Sequence, residues 1–139
     1  MSYRQIVVAL AGQSDEDSVI HEAVRLANVA GAEIRVLHVN DPAAGKVTMM
    51  MDAERLVDEE HFRRQFAELG YGDLSRTMAV DVRTSAHLPR EIATATEGAD
   101  LLVIGHRRKH RFLAALAAAD KHLADMVTCP VLIVPREES

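Results

Sequence analysis

D-L-L-V-I-G-H-R-R-K-H-R, residues 100–111, decides how the rest of the chain is read. Leu101 to Ile104 run without polar alternation into one glycine, and a basic segment follows. A short run that is apolar at every position reads as a strand buried on both faces, which is how strands of a helix-covered parallel sheet are written. Working outward, Ile6-Val7-Val8-Ala9-Leu10 repeats the pattern and is bounded by Gly12. Glu33 to Val39 is a second strand ended by Asn40-Asp41-Pro42, and Val131-Leu132-Ile133-Val134 is the last, followed by a polar tail. Thr77 to Val82 alternates weakly and reads as the third.

The intervals carry helical spacing. Ile20, Ala23, Val24, Ala27 and Ala30 share a face, with Ser14 as N-cap, Asp17 closing a capping box in place of Glu, and Gly31 as the stop. A charged helix is expected from about Asp52 to Leu69. Its stripe of Leu56, Phe62, Phe66 and Leu69 is interrupted at Glu59 and Glu60, and Gly70 and Gly72 end it. Pro89 suits a first helical turn, with Leu88, Ile92 and Ala95 facing one way and Gly98 stopping that helix. Phe112, Leu116, Ala119, Leu123 and Met126 predict a helix reaching about Val127. Residues 43–51 connect the second strand to the charged helix. Their Met49-Met50-Met51 run reads either as core filler or as an adaptable partner surface.

This alternation of strand and helix predicts a single α/β domain over residues 1–139, with a parallel sheet covered by helices on both faces. In such folds ligands sit beyond the carboxyl ends of the strands, where strand order reverses. Those ends are Leu10–Gly12, Val39–Asp41, Val82–Thr84 and Gly105–Arg108. The candidate ligand-binding residues are accordingly Gly12, Val39, Gly105, His106, Arg107, Arg108 and Lys109.

Composition excludes several function classes. No apolar run is long enough to span a bilayer, so no membrane role is expected. The opening residues do not read as a signal peptide, and the lone Cys129 allows no intrachain disulfide; both suit a reducing cytoplasm. A net charge of -5 argues against duplex DNA, and 4% aromatics without Trp argue against a base-stacking platform, so no nucleic acid is expected.

A nucleophile elbow and a Walker A loop are both absent from the sequence. His106 and His110 stand four apart, as two metal ligands on one helical turn would, but the cations around them oppose a metal and no Cys or acid completes the set. His38 reads as a packed or hydrogen-bonded imidazole rather than a base, and Cys129 as a small buried residue rather than a reactive thiol. Asp120, beside an apolar stripe, reads as an edge residue with a local cation, or else as a buried functional carboxylate. No catalytic residue and no metal are therefore expected. The basic segment keeps two readings: a solvated loop, or an anion site between a strand end and a helix N-terminus.

Taken in order, I-V-V-A-L-A-G-Q-S, A-E-I-R-V-L-H-V, G-A-D-L-L-V-I-G-H and C-P-V-L-I-V-P resemble the universal stress protein family over about residues 3–136. The resemblance implies a Rossmann-like sheet of order 3-2-1-4-5, of the adenine nucleotide alpha hydrolase-like kind. It also implies a homodimer paired through the last strands, Val131, Leu132, Ile133 and Val134. The family's ATP-binding branch has an aspartate after the first strand and a G-x-x-G signature, later followed by Gly and Ser or Thr, after the fourth. Here Ala11 replaces the aspartate, Arg108 replaces the second glycine, and the third falls on Ala117 or Ala118. The chain thus resembles the universal stress protein A branch, which lacks the signature. That resemblance implies a non-enzymatic, dimeric, cytoplasmic stress-response protein with no ATP cofactor, acting through protein partners. The alternative is a nucleotide or anion sensor in which the basic loop 106–111 holds a phosphorylated small molecule.

Overall fold

The computed structural model describes residues 3–42, 57–106 and 126–135. Five parallel strands form one sheet: β1 (Gln5–Ala9), β2 (Glu33–Asn40), β3 (Ala79–Thr84), β4 (Leu101–His106) and β5 (Val131–Pro135). Their order is β3-β2-β1-β4-β5, as the resemblance implies. The described helices are α1 (Asp17–Ala30), α2 (Glu59–Glu68), α3 (Gly72–Thr77) and α4 (Leu88–Ala95), with a 3-10 turn at Ser14–Glu16 before α1.

The unbroken apolar run of β1 is explained by its central place. Ile6, Val8 and Leu10 join one buried cluster with Ile20, Ala23, Val24, Val36, Phe62, Phe66 and Val103. Val7 and Ala9 point the other way, into a cluster with Leu37, Ile92, Ala95, Leu102 and Ile104. Helices α1 and α2 thus cover one face, and α4 covers the other. β3 lies at the edge and has no fully buried residue, which accounts for its weak pattern.

Several expected boundaries shift. The charged helix begins at Glu59, not Asp52: Asp58 is extended and its carboxylate accepts the His61 N–H at 3.0 Å. Glu59 and Glu60 are therefore not an interruption but the acidic first turn, where the helix dipole favours them. Leu56, like residues 43–55, lies outside the described residues. Gly70, with φ of 95°, ends α2, but Gly72 opens α3, a helix the sequence reading missed. Thr77 belongs to that helix, and β3 runs from Ala79 to Thr84 rather than from Thr77 to Val82. Gly31 does close α1 in a left-handed conformation, and Pro89 does sit in the first turn of α4. The expected helix through Phe112, Leu116, Ala119 and Leu123, together with Asp120 and Met49–Met51, lies outside the described residues.

One long-range contact ties the sheet's amino edge together. The Asp100 carboxylate accepts the Arg4 N–H at 2.7 Å and the Gln5 N–H at 3.0 Å, joining the start of β1 to that of β4. These backbone donors, Arg4 first, hold its pKa below the ordinary aspartate value. A depressed folded pKa adds stability that is complete above the unfolded value of about 3.9 and is lost as pH falls through the folded one. Asp100→Asn should therefore lower the urea midpoint at neutral pH and flatten its decline below about pH 4. An acid limb identical to that of the unsubstituted protein would count against this clamp.

Candidate functional site at the carboxyl edge of the sheet

Strand order reverses between β1 and β4, so the loop after β1 is one wall of the switch point. This loop, residues 10–13, is bonded from several sides. The Leu10 N–H donates to the Leu37 carbonyl at 2.9 Å. The N–H groups of Ala11, Gly12 and Gln13 converge on the Glu16 carboxylate at 2.7, 2.8 and 2.9 Å. The carbonyls are held too. His38 Nδ1 donates to Leu10 O at 2.7 Å, His61 Nε2 to Gly12 O at 2.8 Å, and Gln65 Nε2 to Gln13 O at 3.0 Å.

Glycine at position 12 is what lets the loop curl this tightly. Its φ is 83°, and a Cβ there would lie 3.1 Å from Val57 Cγ1 and 3.3 Å from His61 Nε2. The expected cap is thereby corrected: the carboxylate that gathers the loop is Glu16, only 3% exposed, rather than Ser14 with Asp17. The 3-10 turn shifts the start of α1 to Asp17 and moves the box one residue from its sequence reading.

The end of β2 backs this loop. His38 is buried, and its Nε2 lies 2.8 Å from Asn40 Oδ1. Asn40 in turn bonds both backbone groups of Val57: its Nδ2 donates to the carbonyl at 3.1 Å, and its Oδ1 accepts the N–H at 3.3 Å. His38 is thus the packed, hydrogen-bonded imidazole that its sequence position suggested. The Phe62 ring lies against both histidines, with centroids 5.2 Å from His38 and 5.5 Å from His61. Beside the loop, between α1 and α2, opens a cleft of about 510 Å³ walled by residues including Gly12, Asp17, His61, Arg64 and Glu68.

The structure brings Gly12 and the end of β2, with Val39, to this edge, but Val39 packs against the α4-side core. Gly105 and His106 are not loop residues as expected. β4 continues through them, pairing Gly105 with Val134 and His106 with Pro135, because β5 supplies a partner along that length. Arg107, Arg108, Lys109 and His110 lie outside the described residues. Of the four proposed interface residues in β5, Val131 and Ile133 are exposed, while Leu132 and Val134 join the α1-side core. Cys129 is half-buried, and burial pushes its thiol pKa up, away from a reactive thiolate. Among the described residues there is no cluster of three or more potential metal ligands, and no helix is long and apolar enough to cross a membrane.

Sequence reasoning missed Glu16, Asn40, His61 and Gln65. Glu16 had a usable signal, a Glu three residues after the polar Gln13. Histidine 61 had none, since its partner is 49 residues away.

The profile of the Universal stress protein family matches residues 2–135. No curated protein sequence matches the chain. Among solved structures, a universal stress protein in complex with cAMP is 20% identical, with a TM-score of 0.59 over 99% of this chain and 100% of that one. Universal stress protein UspA from Lactobacillus plantarum is also 20% identical, with a TM-score of 0.59 over 96% and 99%. The universal stress protein of Archaeoglobus fulgidus in complex with dAMP is 19% identical, with a TM-score of 0.54 over 96% and 99%. At these identities the likeness is one of fold.

Proposed function

Because the chain belongs to the universal stress protein family, we propose that it is a non-enzymatic, dimeric, cytoplasmic stress-response protein that does not bind ATP and acts through protein partners. The observation that carries this reading is Ala11. It stands at the carboxyl end of β1, where the ATP-binding branch has an aspartate, and it presents a methyl group with its N–H already on Glu16. A nucleotide approaching the switch point meets no carboxylate from that position. The dimer is supported by β5, an outer strand whose Val131 and Ile133 are 40% and 51% exposed. An apolar open edge of this kind is an aggregation hazard unless a second copy covers it.

A second reading, a nucleotide or phosphorylated-ligand sensor, is favoured by one finding: neighbours of the same fold bind cAMP and dAMP. In this chain the ligand would be gripped by Arg107, Arg108 and Lys109, using side-chain donors where the signature glycines would present backbone N–H groups.

Native mass spectrometry of gently purified protein, before and after adding millimolar Mg-ATP, separates the two. The leading reading expects a dimer with no bound nucleotide in either sample. A co-purified or added nucleotide that stays bound would overturn it and leave the sensor.

A further inference from the structure

The three N–H groups that meet Glu16 come from consecutive residues and converge on one point. A concave row of backbone donors is the arrangement proteins use to hold phosphate and other anions. Here that place is filled by the chain's own carboxylate. We propose that Glu16 is a built-in anion that closes the β1 loop to phosphate and carboxylate ligands, so that residue 16 determines what this wall of the switch point can bind. The inference deepens the reading given above and rests on it for placing the ligand end of the domain at this edge.

Three observations carry it. The carboxylate is 3% exposed, so its contacts are not a passing surface arrangement. Both oxygens are used: Oε2 on the Ala11 N–H, Oε1 on those of Gly12 and Gln13. The loop is also held from behind, because His38, His61 and Gln65 clamp the Leu10, Gly12 and Gln13 carbonyls from β2 and α2. The donors are therefore aimed by the scaffold and not only by Glu16. A free phosphate would have to displace an anion already tethered to the site and leave a buried carboxylate without donors, at a cost far above that of ordinary surface competition. Remove the carboxylate, and the same donors face a space shaped for an anion.

The test uses the full chain, inorganic phosphate and backbone amide NMR. In Glu16→Ser, the amides of Ala11, Gly12 and Gln13 should shift saturably with phosphate at constant ionic strength set by chloride. In the unsubstituted protein the same amides should not move. Glu16→Gln, which keeps the side chain's bulk without its charge, should leave the space filled and show no saturable response. If Glu16→Ser does not fold in chloride, recovery of its folded spectrum in phosphate or formate, but not in chloride of equal ionic strength, reports the same replacement of one anion by another. A Glu16→Ser protein indifferent to phosphate and formate would overturn the proposal and leave Glu16 as a loop strut. Saturable movement of the 11–13 amides in the unsubstituted protein would overturn it as well. The reading above fails separately: Mg-ATP bound to the unsubstituted protein, with shifts confined to other residues, would refute the absence of ATP binding while leaving the loop closed as proposed.

Discussion

The double variant Val131→Lys/Ile133→Lys is expected to be a folded monomer where the unsubstituted chain is a dimer. β5 is paired with β4 on one side only and stands last in the sheet. Its side chains divide by the strand's period of two. Leu132 and Val134 face the core shared with α1, so a lysine at either would bury a charge and damage the monomer itself. Val131 and Ile133 are the residues a partner would cover, at 40% and 51% exposure in the single chain. Lysines there cost the monomer little. Across a two-fold axis each appears twice and opposes its own kind, so dimerisation should weaken by roughly 100-fold, or about 3 kcal/mol. Light scattering gives the mass and circular dichroism the fold. A folded variant that remains dimeric would move the interface away from β5, and a monomeric unsubstituted chain would remove the dimer from the proposed function.

Phe62→Ala should lose about 3–5 kcal/mol of stability, the usual cost of truncating a fully buried phenylalanine. For a domain with about 5–15 kcal/mol in all, that is a large fraction. Phe62 is 0% exposed and, with Phe66, attaches α2 to the α1 side of the sheet. The rest of that helix is strongly charged, so these rings supply most of its apolar contact. Phe62 also lies against His38 and His61, the side chains that hold the Leu10 and Gly12 carbonyls. Its removal should therefore speed amide exchange in the 11–13 loop beyond what global destabilisation accounts for, whereas Phe66→Ala should not. A loss below about 1 kcal/mol in urea unfolding would show that the core collapses around the gap.

Much of the sheet was legible in the residues because its signals are local. β1 and β4 announce themselves as apolar runs, since a strand buried on both faces has no polar side to alternate with; β5 is as apolar although Val131 and Ile133 are exposed, and β2 is legible despite Glu33, Arg35 and His38. β3 was blurred because it sits at the edge, where Arg83 pairs with both Asp81 and Glu91 rather than entering the core. The start of α2 was misplaced because Glu59 and Glu60 break an apolar stripe while favouring a helix N-terminus, and only the Asp58 cap decides between those effects. At the site, Gly12 could be singled out as the residue after a strand, but the reason it must be glycine lies in Val57 and His61, remote in the chain.

By itself the sequence determined the alternation of strands and helices, the parallel sheet that follows from it, the family, and Ala11 where the ATP-binding branch has an aspartate. All of these are carried by residue type at a given position or by spacing within a few residues, which needs no knowledge of what lies across the fold. The tertiary structure alone decided that Glu16 fills the β1 loop, that His38, His61 and Gln65 clamp it, and that Val131 and Ile133, not Leu132 and Val134, face outward. The reason is physical: a buried carboxylate settles where several donors converge. Those donors are brought together only when Gly12 turns the chain, β2 supplies His38, and α2, anchored by Phe62 and Phe66, delivers its side chains from about 50 residues away.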